Sequence, residues 1–178
     1  MASLVLNGNT SGSVTISSPA VSGTTTLTLP TTSGTVMVNG PAFSAYANAN
    51  QSVTSGVLTK INLNTETFDT NNNFDTSTYR FTPTVSGYYQ INGVFQSQAT
   101  NMSAMVLNIY KNGSSYKSQT SNLTGTPAFF SMSISDVVYL NGSTDYIELY
   151  GQINASSSLI ISGGSLYTYM SGVLVRSA

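Results

Sequence analysis

The sequence has very little charge and lacks two residue types on which many enzymes depend. Only 6% of its 178 residues are charged, and the formal net charge is −1. Typical soluble domains carry about 25% charged residues. Histidine and cysteine are absent. Their absence excludes Ser-His-Asp and Cys-His catalysis, disulfides, and zinc sites built from these residues.

The few charges and the apolar runs also limit the partners of the chain. The five Lys and Arg residues are spread along the sequence and form no basic patch, so we expect no nucleic-acid partner. The first eight residues, MASLVLNG, have neither a basic region nor a long apolar run, and no later run could span a bilayer. We expect no leader peptide, no membrane segment, no cofactor, and synthesis in a cytoplasm.

The residues that are abundant indicate a folded protein. Hydrophobic residues make up 40% of the chain and include 11 Tyr and 7 Phe, which suffices for a core. A nearly neutral surface lacks the charge repulsion that keeps monomers apart. This composition favours a permanent oligomer or a component of an assembly over a monomer solubilised by hydroxyls and amides.

Residues 1–40 contain three eleven-residue repeats. Ser-Gly pairs begin at residues 11, 22 and 33, and prolines recur at 19, 30 and 41. Each unit predicts a Ser-Gly turn, a short strand, and a proline that ends strand pairing. The alternating apolar residues are our candidates for anchoring this arm: Val14, Ile16, Leu27, Leu29, Val36 and Val38.

Three organisations of the arm are consistent with these residues. Three arms could wind together, one arm could lie across a partner's surface, or the segment could be a flexible linker. Because a linker has no need of alternating apolar residues, the pattern favours an arm that is ordered in the assembled state.

Residues 41–178 predict one compact β domain. No segment shows an apolar period of 3.6 residues, whereas short runs of β-branched and aromatic residues are separated by turn signals such as Asn-Gly and Gly-Gly. This pattern predicts a sandwich, jelly roll or barrel. The predicted strands are 42–47, 57–63, 79–83, 88–96, 104–111, 115–120, 129–140, 146–152, 159–162 and 165–175.

Residues 63–93 resemble the signature of the complement-subcomponent-q globular head, whose family shares the jelly-roll fold of the tumour necrosis factor superfamily. The closing strand resembles the family's Phe-Ser-Gly-hydrophobic ending, and the similarity extends over 41–178. Gly93 replaces the last aromatic of the signature, which could open a gap or bring a backbone closer. The fold-signature positions are Leu63, Asp69, Phe74, Phe81, Gly87, Tyr89, Ile91 and Gly172.

The resemblance implies an all-β, antiparallel jelly-roll sandwich, preceded here by the extended arm. It also implies a homotrimer in which aromatic residues pack around the threefold axis. Tyr89, Tyr167 and Tyr169 are the candidates for that axis, and each could instead be an ordinary core residue.

Two patterns suggest chemistry that we do not expect. Residues 69–73 have the alternating oxygen ligands of a calcium loop, but Phe74 takes the place of its glycine and Arg80 that of its final acid. A polar loop is the alternative to a weak calcium site near Asp69. Glu66, Asp69 and Asp75 lie close in sequence and could suggest the paired carboxylates of glycoside hydrolysis. Nothing in the sequence indicates a buried carboxylate, and we expect no enzyme.

The arm resembles segments common in tailed-phage fibres and other virion proteins. We therefore predict a structural protein of the virion surface. As a trimeric capsid decoration or cement protein, it would pair its arm with the major capsid protein or other virion subunits, and the jelly roll would project outward. The alternatives are a receptor-binding fibre tip that recognises a host surface glycan or protein, and a secreted adhesin or lectin.

Overall fold

The structure is a computed structural model that describes residues 3–7, 9–17, 23–24, 40–123 and 128–178. Over these ranges the chain consists of β-strands, turns and irregular segments, without a helix. It divides into two compact units, Met1–Thr35 and Val36–Ala178. The boundary expected after residue 40 stays a prediction, because residues 25–39 lie outside the described ranges.

The first unit contains a β-hairpin. Strands β1 (Ser3–Asn7) and β2 (Ser13–Ser17) pair antiparallel. Gly12 precedes β2 with a φ of 79°, a left-handed conformation that glycine adopts without strain. The Ser-Gly turn and the strand expected in the first repeat are present, and its proline, Pro19, lies outside the described residues. Strand β1 was not predicted. Apart from residues 23–24 and 40–43, the other two repeats lie outside the described residues, and so do Leu27, Leu29, Val36 and Val38.

The second unit is the jelly-roll head. Its strands are β3 (Ala42–Tyr46), β4 (Gln51–Ser52), β5 (Thr59–Lys60), β6 (Thr65–Asp69), β7 (Phe74–Asp75), β8 (Arg80–Phe81), β9 (Gly87–Thr100), β10 (Ala104–Lys111), β11 (Ser114–Asn122), β12 (Phe129–Leu140), β13 (Ile147–Asn154), β14 (Ser157–Ile161) and β15 (Tyr169–Ser177).

These strands form two antiparallel sheets. The β9 sheet has the order β6-β3-β15-β9-β12, and β14 pairs with the far end of β9 and with β4. The β13 sheet has the order β11-β10-β13-β8-β7, and β5 also pairs with β13. Most neighbouring strands are distant in sequence, as in a jelly roll. The predicted all-β, antiparallel sandwich is confirmed.

The core lies between the two sheets, and strand alternation places residues in it. Along β9, Tyr89, Ile91 and Phe95 are fully buried and Gly93 is buried, whereas the alternate residues Gln90, Asn92 and Val94 are partly exposed. This alternation follows from the two-residue period of a strand. From the β13 sheet, Leu107 and Leu149 are buried as well.

Four aromatic rings join the two layers. Phe43 stacks on Phe81 with ring centroids 4.2 Å apart and on Phe74 at 5.2 Å, and Phe81 meets Tyr89 edge-on at 5.5 Å. Phe43 belongs to the β9 sheet and Phe81 to the β13 sheet, so their contact bridges the sandwich. Each such pair adds about 0.5–1.5 kcal/mol beyond the burial of the rings. All the large apolar signature residues are buried: Leu63, Phe74, Phe81, Tyr89 and Ile91.

Two glycines allow close packing against these side chains. A Cβ atom at Gly172 would lie 2.6 Å from Cε1 of Phe43 and 2.8 Å from Cδ1 of Ile91. At Gly93, a Cβ atom would lie 2.5 Å from Cδ1 of Leu149. Leu149 of the opposite sheet therefore packs close to the backbone where the complement-head signature has an aromatic residue.

Tyr89 is buried, so its assignment to a trimer axis is wrong. Its side chain is 0% exposed, and its hydroxyl donates a 2.6 Å hydrogen bond to the carbonyl oxygen of Val85. Burial raises the pKa of Tyr89 to about 12. Because successive strand residues point to opposite faces, the neighbouring Tyr88 points outward instead and is 44% exposed.

Several predicted strand boundaries need correction. The strand predicted at 57–63 is reduced to β5, and the strand predicted at 165–175 begins only at Tyr169. The turn before it is held by the N–H groups of Tyr167 and Thr168, which donate to the carbonyl oxygen of Gly164. Strand β6 was not predicted, because most of its side chains are exposed and show no apolar alternation.

Substituting Gly172 with alanine tests the close packing of the sandwich. We expect Gly172→Ala to lower the free energy of unfolding by about 1–3 kcal/mol, because the added methyl group overpacks the core beside Phe43. Urea unfolding followed by tyrosine fluorescence measures the effect. Ser118→Ala, at an exposed position of β11 that lies outside the β9 sheet, is the control and should stay within about 0.5 kcal/mol of the parent protein.

Tyr89→Phe tests the buried hydroxyl through its pH dependence. A tyrosine whose folded pKa lies near 12, above its ordinary value of 10.0, stabilises the fold fully below pH 10. That stabilisation is lost as the pH rises from 10 towards 12. Over this interval the parent protein should lose about 2 kcal/mol more stability than Tyr89→Phe. Identical profiles for the parent protein and Tyr89→Phe would contradict the assignment.

Candidate functional site

The side of the β9 sheet that faces away from the core is the first candidate surface. Across β3, β15, β9 and β12, three successive rows of outward side chains form a surface that we call the outward face. The rows are Tyr46-Tyr169-Val94-Ser133, then Ser44-Ser171-Asn92-Ser135, then Ala42-Val173-Gln90-Val137. None of these twelve residues is Lys, Arg, Asp or Glu. The row beyond it, Arg176-Tyr88-Tyr139, carries the exposed cation Arg176 and is not part of this face. A surface of twelve neighbouring side chains without a charged group suits association with another uncharged surface.

Hydrogen bonds fix the polar centre of the outward face. Gln90 Nε2 donates to Ser135 Oγ at 2.7 Å, and Ser135 Oγ donates to Asn92 Oδ1 at 2.9 Å. These bonds link β9 to β12 and hold the amide groups in place. Val173 and Val137 in the adjacent row are 45% and 44% exposed. The face thus combines oriented polar groups with uncovered apolar side chains, the composition of an interface core.

The two remaining axis candidates lie at or near this face. Tyr169 stands between Tyr46 and Val94 in the first row. Tyr167 lies in the turn before β15 and is 44% exposed. Their position at a threefold axis stays a prediction. Val173, Val137 and the amide network were not predicted, because short uncharged side chains form no recognisable motif.

The hairpin of the first unit is the second candidate surface. Leu4 lies opposite Ile16, and Leu6 lies opposite Val14, so these four side chains share one side of the hairpin. Val14 and Ile16 were predicted as anchoring residues, and their exposed fractions are 65% and 54%. Their role stays a prediction. Leu4 and Leu6 were missed because β1 lies outside the eleven-residue repeat.

Most charged side chains of the head form ion pairs with one another. Glu148 is 1% exposed, and its Oε1 accepts from Lys60 Nζ at 2.5 Å and Arg80 Nε at 2.7 Å. Hydrogen bonding to Glu148 raises the pKa of Arg80 above its ordinary value. Lys111 pairs with Asp145 and Lys117 with Asp136. Four of the five cations in the chain are therefore paired within it.

The carboxylates considered for chemistry bind neighbouring backbone groups. Asp69 accepts from the N–H of Asn71 at 3.1 Å and of Phe74 at 2.6 Å. Asp75 accepts from Ser77 and Thr78, and these bonds hold the pKa of Asp75 well below its ordinary value. In the described ranges, no three acidic, His or Cys side chains come together as metal ligands would. These contacts give the acidic residues a role in shaping turns.

An open pocket with a volume of about 210 Å³ lies between strands β11 and β12. It has no titratable side chain in its wall, which is lined by Gln119, Ser121, Phe130, Ser131, Met132 and Ser133. Such a lining offers hydrogen bonds and apolar contact but no acid, base or charged nucleophile. Among the residues that the structure describes, no helix has the length and hydropathy to cross a membrane.

Comparison with known proteins identifies the fold. No protein-family model and no curated protein matches the sequence. Among solved structures, the globular domain of the zebrafish complement 1qA protein is similar with a TM-score of 0.57 and 18% identity, over 78% of this chain and 99% of that one. The Eiger TNF of S. frugiperda has a TM-score of 0.59 and 8% identity, over 78% and 94%.

Murine APRIL is also similar, with a TM-score of 0.60 and 12% identity, over 77% of this chain and all of the other. Identities this low carry no conclusion about function, and the shared feature is the three-dimensional arrangement of strands. The chain therefore has the jelly-roll fold of the complement globular head and of TNF-like proteins.

Proposed function

We propose that the chain is a non-enzymatic virion protein that decorates a capsid as a homotrimer. The observation that carries this proposal is the uncharged outward face of the β9 sheet. Three copies meet through this face, and the N-terminal arm attaches the trimer to the major capsid protein or to other virion subunits. The head projects from the virion surface.

The outward face supports self-association for two reasons. Its exposed valines and tyrosines gain free energy when they leave water. Its hydroxyl and amide groups, such as those of Ser171 and Asn92, can find partners in an identical face without the cost of burying a charge. The pairing of Lys60 and Arg80 with Glu148 keeps those charges within the head.

The composition of the arm supports attachment to a particle. No Lys, Arg, Asp or Glu occurs among residues 1–59. A strand of Ser, Thr and aliphatic residues can add to an exposed sheet edge through main-chain hydrogen bonds, which require little side-chain specificity. An arm of this kind can therefore bind where a capsid presents an unpaired strand.

Val173→Lys tests the trimer. Three lysines placed in the interface would be buried without partners, so we expect the trimer to dissociate at least about 100-fold more readily. Sedimentation equilibrium on the full chain measures this change. Val57→Lys alters an equally exposed valine, 49% against 45%, that lies outside the outward face, and it should leave the trimer intact. A parent protein that sediments as a monomer at high concentration would overturn the trimer.

Binding to particles tests the role in the virion. Purified protein is mixed with capsids assembled without it and, separately, with host cells. We expect the full chain to bind capsids, and a variant lacking residues 1–40 to lose that binding while remaining a trimer. Binding to host cells but not to capsids would replace decoration with receptor recognition by a fibre tip.

A further inference from the structure

The N-terminal hairpin has one apolar side and one mostly polar side. Leu4, Leu6, Val14 and Ile16 form the apolar side, which we call the aliphatic face, and their exposed fractions are 57%, 53%, 65% and 54%. The opposite side carries Val5 paired with Thr15 and Asn7 paired with Ser13. Only one side of the hairpin therefore requires a cover.

The hairpin is too small to be stable with this face in water. A two-stranded hairpin is marginally stable at best and needs a further layer against its apolar side. Both strands contain five residues, so the aliphatic face is limited to two cross-strand pairs. A patch this small is far below the roughly 1,200 Å² of a stable interface between free proteins. Its cover must already be held nearby at high effective concentration.

Other copies of the same hairpin meet this condition. In a trimer held together by its heads, each arm is tethered close to two identical arms. The absence of Lys, Arg, Asp and Glu from residues 1–59 means that three arms approach without side-chain charge repulsion. A partner that recognises charged side chains would find none in this segment.

We propose that the aliphatic faces of three hairpins pack against one another around the threefold axis of the trimer. Leu4, Leu6, Val14 and Ile16 of each copy are then buried, and the sides bearing Thr15 and Asn7 remain in water. This inference rests on the proposed trimer. It assigns Val14 and Ile16 to contacts between copies and leaves Leu27, Leu29, Val36 and Val38 as the candidates for contact with the capsid.

Cysteine cross-linking tests the packing directly, because the chain contains no cysteine of its own. Leu6→Cys places a thiol on the aliphatic face, and Val5→Cys places one on the opposite side, one residue away. Under mild oxidation of the full-length protein, we expect Leu6→Cys to form covalent dimers at least 10-fold faster than Val5→Cys. Equal rates in a protein that sediments as a trimer would overturn the packing of the hairpins while leaving the trimer intact.

A second pair of variants covers the case in which the cysteines are poorly aligned for a disulfide. Leu6→Asp would bring three carboxylates together, so the arms should separate, and cleavage by a broad-specificity protease within residues 3–17 should become at least 10-fold faster. Val5→Asp should leave the cleavage rate unchanged. Equal cleavage of both variants would contradict the proposal, and a parent chain that sediments as a monomer would remove the trimer and this inference together.

Discussion

The stacking of Phe43 on Phe81 is the contact on which the head depends. The two rings come from different sheets and lie 4.2 Å apart, so they set the distance between the layers at that point. Phe74 and Tyr89 extend the same cluster on either side of the pair. The backbone at Gly172 must come close to Phe43 for this packing to form, which is why no side chain fits there. Three aromatic positions of the signature, Phe74, Phe81 and Tyr89, therefore belong to one set of contacts.

The core is closed by aromatic packing, and the few charged residues contribute in a different way: they connect neighbouring strands through ion pairs. Glu148 holds Lys60 of β5 and Arg80 of β8 against β13, so one buried carboxylate ties together three short or central strands. Removing Glu148 would leave both cations without their common partner, so the cluster stabilises the pairing of these strands. Lys111 and Lys117 also pair with carboxylates within the head. The twelve residues of the outward face and residues 1–59 contain no Lys, Arg, Asp or Glu, so the charged residues of the chain lie elsewhere in the head.

The sequence predicted the core better than it predicted the surfaces. Aromatic residues at fixed spacing identified Phe74 and Phe81 because burial selects residue types strongly. The error at Tyr89 has a physical cause: two adjacent tyrosines, Tyr88 and Tyr89, look alike in the sequence, and only the register of β9 shows which one points inward. The outward face could not be predicted, since its polar row is brought together from four strands that are far apart in the chain.

The head and the hairpin each have an apolar side, but only in the head is that side covered within one chain. In each, strand alternation produces one apolar side and one polar side. In the head, the apolar side of the β9 sheet is covered by the β13 sheet, so Ile91 and Phe95 are completely buried within one chain. The hairpin has only two strands, and its four aliphatic side chains remain more than half exposed. In the proposed trimer the cover comes from the other copies, so the stability of the hairpin would depend on assembly whereas that of the head would not.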